Sequence, residues 1–269
     1  MKIYTNISGQ FPGLDLSPMT VNGHFWRAGE DKQSLPDRDY FIERCQGDGP
    51  LCINIEHWKW DIRSNPYTVV DESISKLMTL TRWATDAFPG RVVGHYSLFP
   101  LRDYWTPQYS QLTRPLSWHK WRRANGYLKR SRTKTGEYHA VGLADLSHVT
   151  MPSLYTFYEY QAGWAKYAKA NIAEARKYGS PVVPFLWPRY HDSNTFKYTG
   201  IPGDYWRLQL DTLAEAGCDE AVIWDAAQYF ANIGGEVWNQ DTPWIVATKD
   251  WMGEPFIPAV LGAAYASNI

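Results

Sequence analysis

The chain has 269 residues, 44% of them hydrophobic and 20% charged, with a formal net charge of −1 and a pI near 6.7. That length buries a full core in one large α/β domain or two small ones, and the near-neutral balance excludes an obligate nucleic-acid or membrane-surface binder as the default class. No apolar run approaches the ~18–20 residues of a membrane span, and the opening Met1–Gly9 has neither an apolar h-region nor a small-residue cleavage site, so cytoplasmic residence or release by a non-signal route is expected.

In chain order, the pattern predicts a strand over Lys2–Ile7, a strand over Leu51–Glu56 and a helix over Asp71–Ala87. The helix shows apolar residues at Ile74, Leu77, Met78, Leu80, Trp83, Ala84 and Ala87, close to a 3.6-residue period, and Pro89-Gly90 stops it. A strand over Arg91–Ser97 follows, then a long irregular stretch from Leu98 to Tyr138, then strands over His139–Leu143 and Val149–Tyr155. A helix over Ala162–Tyr178 ends at Gly179, and Pro181 opens a strand over Val182–Trp187. A helix over Gly203–Ala216, a strand over Ala221–Trp224 and a helix over Thr242–Trp251 complete the chain, the last with Pro243 in its first turn.

Several strands are continuous apolar runs, as in parallel sheets covered on both faces. Strand and helix alternate with no linker, low-complexity stretch or repeat, so the expectation is one domain over residues 1–269, a distorted TIM-type (β/α) barrel of seven or eight strands. No Gly-x-Gly-x-x-Gly follows the first strand, which removes support for a dinucleotide-binding open sheet. The stretch from Leu98 would be a decorated connection on the barrel's functional face.

The three cysteines do not make a disulfide scaffold. Cys45 and Cys52 flank a Gly-Asp-Gly-Pro turn and either close a small loop or stand as buried free thiols. No Cys/His spacing reads as zinc, and neither metal nor cofactor is expected. Aromatic residues reach 16%, with 14 Trp and 18 Tyr. Flat C–H faces of sugars stack on such rings, but a large aromatic core gives the same composition. Lys120, Arg122, Arg123, Lys129, Arg130, Arg132 and Lys134 form a basic run without an acidic residue, leaving the rest of the chain with 20 basic against 28 acidic residues. The run is either a solvated helix face or a wall for a polyanion; nucleic acid is not expected.

In a barrel, chemistry sits at the C-terminal ends of strands. Asn54 and Glu56 end Ile-Asn-Ile-Glu-His-Trp, and a spacing of two puts both on one face of the strand. Next to Ile55 and Trp58, Glu56 is expected to be desolvated, which would raise its pKa and suit a general acid; a structural salt bridge is the alternative. His95 and Tyr96 end the next strand, Tyr155 ends Met-Pro-Ser-Leu-Tyr, and Trp187, Tyr190, His191 and Asp192 follow Val-Val-Pro-Phe-Leu. Trp224 and Asp225 follow Ala-Val-Ile. No Gly-x-Ser-x-Gly elbow is present, so serine hydrolase chemistry is not expected. Asp145, Asp192 and Asp225 are candidate second carboxylates.

Taken in order, these motifs resemble the hyaluronidase family of glycoside hydrolases, the bee-venom and sperm type. Lys2–Ser8 is similar to that family's opening Val-Tyr-Trp-Asn-Val-Pro, and Ile53–Trp58 resembles its Ile-Asp-x-Glu-x-Trp strand. Gly94–Pro100 is similar to Gly-Tyr-Tyr-Gly-Phe-Pro, Met151–Tyr155 to Tyr-Pro-Ser-Ile-Tyr, Pro181–Trp187 to Pro-Val-Tyr-Pro-Phe, and Ala221–Asp225 to Ile-Val-Ile-Trp-Gly. The matches span nearly the whole chain; the family's paired disulfides are absent, as in a non-secreted, microbial or viral relative.

The resemblance implies a distorted (β/α) barrel that cleaves β-linked N-acetylhexosamine polymers with retention, the substrate's acetamido oxygen serving as nucleophile. By position, Glu56 would be the acid/base, Tyr96 and Tyr155 would line the sugar site, and Trp224 would wall the acetamido pocket. His95, Trp58, Trp187 and Tyr190 join them as candidate substrate contacts. Two departures matter. Asn54 stands where the family has aspartate, and Asp225 where it has glycine, so Asp225 is a candidate nucleophile or base opposite Glu56. The expected function is a glycoside hydrolase, endo-acting on an amino-sugar-containing or anionic polysaccharide or oligosaccharide. A carbohydrate-binding barrel of weak activity is the alternative, and a metal-dependent hydrolase using His95, His191 and Asp192 a second.

Overall fold

A computed structural model describes residues 1–6, 11, 13–108, 111–129, 140–178, 181–233 and 235–253. Eight strand segments form two four-stranded sheets in which every pair is parallel. One sheet has the order β2 (Ser17–Pro18), β1 (Lys2–Thr5), β8 (Glu220–Ile223), β7 (Phe185–Leu186). The other runs β3 (Thr20–Asn22), β4 (Leu51–Ile53), β5 (Val93–Tyr96), β6 (Val149–Met151).

The sheets meet at both edges. Residues 17–22 pair with β1 through their first half and with β4 through their second. Parallel bridges Thr150↔Val182, Ser153↔Phe185 and Thr156↔Tyr190 tie the β6 segment to the β7 segment.

Parallel neighbours need crossover connections, and helices supply them. Among the described residues these are α1 (Arg38–Arg44), α2 (Tyr67–Ala87), α3 (Pro115–Lys129), α4 (Leu143–Leu146), α5 (Gln161–Ala175), α6 (Gly203–Glu215), α7 (Ala227–Asn232) and α8 (Pro243–Gly253). The predicted strand over His139–Leu143 is not formed: His139 lies outside the described residues, and Leu143 opens α4. The irregular stretch after Leu98 contains α3, whose buried Trp118, Trp121, Ala124, Asn125 and Leu128 lie at helical spacing.

Strand alternation divides the core into three. Tyr4, Cys52, Tyr96, Met151, Phe185 and Val222 point inward and form one cluster. Leu51, Ile53, Ile55 and Val93 point outward under α2 and α3, and Ile3, Leu186, Ala221 and Ile223 point outward under α5, α6 and α8. Ten of the 14 tryptophans are buried, and Trp121, Trp164, Trp206 and Trp244 fully so. Most of the tryptophan excess is therefore core. Cys45, Cys52 and Cys218 are free, buried thiols.

Candidate active site

β4 continues its ladder one residue past its end, where the Asn54 N–H donates to the Asn22 carbonyl at 2.8 Å. Gly23 passes so close that a Cβ there would lie 2.1 Å from the Asn54 carbonyl oxygen, so this approach needs glycine. Inward-facing Cys52 fixes the alternation, and Asn54 and Glu56 line the inner cavity described below. Asn54 Nδ2 donates to Glu56 Oε1 at 3.4 Å. Asn54 Oδ1 is buried and has no hydrogen-bond partner.

The expected desolvation of Glu56 is not found. Its side chain is 48% exposed, and Oε2 lies 3.6 Å from Arg102 Nη1. Arg102 comes from the connection after β5, where Ser97 turns the chain at φ +56°, in the left-handed region. Sequence reasoning missed Arg102 because only the folded connection brings it to Glu56.

Glu56 and Asn54 open onto a cavity of about 160 Å³ whose walls include Tyr96, Tyr155, Trp187 and Trp224. The rings touch in sequence: Tyr96 and Tyr155 at 5.9 Å between centroids, Tyr155 and Trp224 stacked at 5.9 Å, Trp224 and Trp187 at 5.6 Å. The Tyr96 hydroxyl donates to Ser153 Oγ at 3.0 Å. Burial pushes both the Tyr96 and Tyr155 phenols up, so they are neutral hydrogen-bonding groups at physiological pH.

Asp225 does not line this cavity. Its side chain is fully buried, and both oxygens are taken. Trp187 Nε1 and Arg189 Nε each donate to Oδ1 at 3.0 Å. Arg189 Nη2 donates to Oδ2 at 3.1 Å, and Trp238 Nε1 donates to the same oxygen. Four donors fill the carboxylate's acceptor sites, which corrects the reading of Asp225 as a nucleophile or base: it anchors the Trp187 indole from behind.

His95 is also corrected. Tyr96 faces inward, so His95 faces outward, where its Nε2 meets Thr81 Oγ1 of α2 at 2.8 Å. Burial pushes its pKa down to about 4. Tyr190 turns into the outer core, with its ring 6.4 Å from Tyr205, and does not line the cavity. Trp58 is buried, donates from Nε1 to the Lys32 carbonyl at 2.7 Å, and lines an adjoining cavity rather than this one.

His191 does line the inner cavity. Its Nδ1 lies 2.6 Å from Asp192 Oδ1 and 3.2 Å from the Ser193 N–H. Burial lowers its pKa, Asp192 opposes that shift, and Arg102 adds to it. His95, on the other face of the sheet, cannot join His191 and Asp192, so that metal set is not assembled; among the described residues no cluster of three His, Cys, Asp or Glu side chains could hold an ion.

The basic run is placed elsewhere. Lys120, Arg122, Arg123 and Lys129 belong to α3 and none lines the cavity; Arg130, Arg132 and Lys134 lie outside the described residues. Arg123 Nη2 donates to the Tyr67 hydroxyl at 2.9 Å, and Arg122 Nε lies 3.8 Å from Glu174 of α5. Among the described residues no helix is long and apolar enough to cross a membrane.

No family model matches the sequence, and no curated protein matches it. Among solved structures, the monoclinic crystal structure of bee venom hyaluronidase is similar with a TM-score of 0.54 and 13% identity, over 94% of this chain and 96% of that one. Bee venom hyaluronidase in complex with a hyaluronic acid tetramer is similar with a TM-score of 0.48 and 14% identity, over 80% of this chain and 70% of that one. The first likeness extends over nearly the full length of both chains and is one of fold: a mixed α/β architecture built on parallel strands.

Proposed function

We propose that this chain is a glycoside hydrolase, one (β/α)-barrel unit in which the two sheets act as a single ring, with Glu56 as its proton donor. Its substrate is a polysaccharide containing 2-acetamido sugars. The observation that carries the reading is the Asn54–Glu56 pair at an aromatic-walled cavity, with Asn54 Oδ1 buried and unpartnered. A buried acceptor without a donor is costly and rare, and an acetamido N–H is a donor of the right kind. The fold shared with bee venom hyaluronidase supports the same reading.

In this mechanism, Glu56 gives its proton to the glycosidic oxygen as the bond from that oxygen to the anomeric carbon breaks. The acetamido oxygen forms the new bond to that carbon. Water then attacks the same carbon, the acetamido oxygen leaves, and the Glu56 carboxylate takes the water proton. Asn54 holds the acetamido N–H and so aims its oxygen. Trp224, stacked on Tyr155, and Trp187, anchored by Asp225, wall the sugar. Orientation of this kind lowers the barrier without a protein nucleophile.

A second reading, sugar binding without turnover, is favoured by Arg102, whose guanidinium lies 3.6 Å from Glu56 Oε2 and so engages the carboxylate that hydrolysis would need at the glycosidic oxygen. One screen separates the two. Purified protein is incubated with a polysaccharide panel that includes chitin and hyaluronan fragments, read by reducing-end formation and oligosaccharide mass, with binding followed by tryptophan fluorescence. New reducing ends support hydrolysis; binding without new ends supports the second reading; neither signal on any amino-sugar polymer overturns both.

A further inference from the structure

The two most exposed large apolar side chains among the described residues are Leu112, 92% exposed, and Leu116, 75% exposed. They lie four residues apart at the start of α3. That helix buries Trp118, Trp121, Ala124, Asn125 and Leu128 and turns a basic face outward. Between residues 111 and 129 the sequence has Arg114, Lys120, Arg122, Arg123 and Lys129 and no Asp or Glu. Every other described helix that carries Lys or Arg also carries an acidic residue. The most exposed leucines and the one purely basic helix therefore coincide.

Their arrangement is that of one surface. Leu116, Lys120 and Arg123 follow at spacings of four and three, which puts them in a stripe along the outer face of α3. Arg122 Nη1 donates to Gln111 Oε1 at 3.0 Å, which folds the segment carrying Leu112 back on the helix. Arg123 donates to the hydroxyl of Tyr67, an exposed ring at the start of α2 that extends the same surface. The neighbouring acids are engaged. Asp71 accepts from the Tyr127 hydroxyl at 2.7 Å, Glu72 pairs with Lys76 at 3.0 Å, and buried Glu174 meets Arg122 and Lys177. None of Leu112, Leu116, Lys120 and Arg123 lines the inner cavity or the one adjoining it, so a partner on this surface leaves both open.

We propose that this face docks reversibly on the surface of an anionic lipid bilayer. Leu112 and Leu116 enter the boundary between headgroups and acyl chains, Tyr67 sits at headgroup level, and Lys120 and Arg123 meet lipid phosphates. Charge complementarity selects this occupant. A symmetric contact with a second copy would set one basic helix against its own copy, a like-charge arrangement. A soluble polyanion would satisfy the cations and leave the leucines in water. A bilayer surface takes both, because its anionic headgroups overlie an apolar interior. The near-neutral charge of the whole chain averages this face away: the other residues hold an excess of acid. The contact is interfacial and needs no spanning helix, and it stands or falls separately from the hydrolase reading.

The test is co-sedimentation of the full chain with vesicles of phosphatidylcholine alone and of phosphatidylcholine mixed equally with phosphatidylglycerol, at low and high salt. Wild type should sediment with the mixed vesicles, far less with the neutral ones, and less with either as salt rises. Lys120→Glu should weaken binding to the mixed vesicles about tenfold, since it removes one attraction and adds one repulsion. The double variant Leu112→Ser, Leu116→Ser should weaken it by a similar factor, about tenfold, while keeping the wild-type elution salt on a heparin column. Both positions are exposed, so circular dichroism should show the fold retained. No sedimentation of wild type with mixed vesicles overturns the proposal. So does a leucine double variant that binds mixed vesicles as wild type does, because the face would then be a site for soluble polyanions. Should either variant fail to fold, the wild type still decides: equal binding to neutral and mixed vesicles, or none to both, overturns the proposal.

Discussion

Glu56 and Asp225 are carboxylates placed just beyond the ends of parallel strands β4 and β8, and the fold treats them in opposite ways. Around Glu56 the surroundings are open: the side chain is 48% exposed, with a 3.4 Å contact from Asn54 and a 3.6 Å approach by Arg102. Around Asp225 they are sealed: the residue is fully buried and takes hydrogen bonds from Trp187, Trp238 and two guanidinium nitrogens of Arg189. A carboxylate whose acceptor sites are all occupied cannot approach a substrate, whereas one loosely held at a cavity can exchange partners. Position at a strand end marks a residue as a candidate; the number of donors already on it decides between chemistry and scaffolding.

The sealed region is most sharply tested by Asp225→Asn. The substitution leaves the fully buried Arg189 without its counter-charge and places an N–H₂ group against donors. Removing one partner of a buried pair costs about 3–5 kcal/mol, so the urea midpoint should fall accordingly. A loss under about 1 kcal/mol would break the contrast, because it would mean that Asp225 is not committed to Arg189.

His95 sharpens the same contrast with a titratable group. Burial pushes its pKa down to about 4, against about 6.5 in the unfolded chain. The unfolded state therefore takes up a proton between those values that the native state refuses. The contribution of neutral His95 is fully present above pH 6.5 and is lost as pH falls toward 4, by up to about 3 kcal/mol. Denaturation of His95→Gln at pH 7 and pH 4.5 should show a shallower loss than wild type over this interval. An identical pH dependence in both proteins would show that His95 is not sealed.

Asn54→Asp acts on the open side and should have the smallest effect of these variants. It places a carboxylate beside Glu56 and beside any positive charge developing on the acetamido-derived ring. Two carboxylates sharing one site do not ionise freely together, so the alkaline limb of the pH–rate profile should move to higher pH, with kcat on an acetamido substrate rising by a few-fold, about 1 kcal/mol. A fall in kcat with an unmoved pH profile would mean that the amide, not charge, is what the site requires.

Much of this arrangement was legible in the residues themselves. The apolar runs at Leu51, Arg91, Val149, Val182 and Ala221 mark regions that contain parallel strands, and the two-residue spacing places Asn54 and Glu56 on one face. The same alternation, applied at Tyr96, would have turned His95 outward. β2 and β3 escaped notice because Ser17-Pro18 and Thr20-Val21-Asn22 are short and polar, and their strand character comes from the neighbours they pair with. α3 was hidden beneath its basic residues, although Trp118, Trp121, Asn125 and Leu128 carry the helical period. The roles of Arg102 and Arg189 depend on contacts 46 and 36 residues distant in the chain, which no local pattern encodes.

The most direct measurement is turnover by Glu56→Gln on whichever polysaccharide of the panel the wild type cleaves, with thermal stability recorded in parallel. Glutamine keeps the shape and a hydrogen bond at the cavity but has no proton to give. Proton transfer to a glycosidic leaving group is typically worth about 10²–10⁴-fold. The account predicts a loss of kcat in that range with binding retained and the melting temperature unchanged, because no sealed contact is broken. Near-wild-type turnover by a folded Glu56→Gln protein would contradict it.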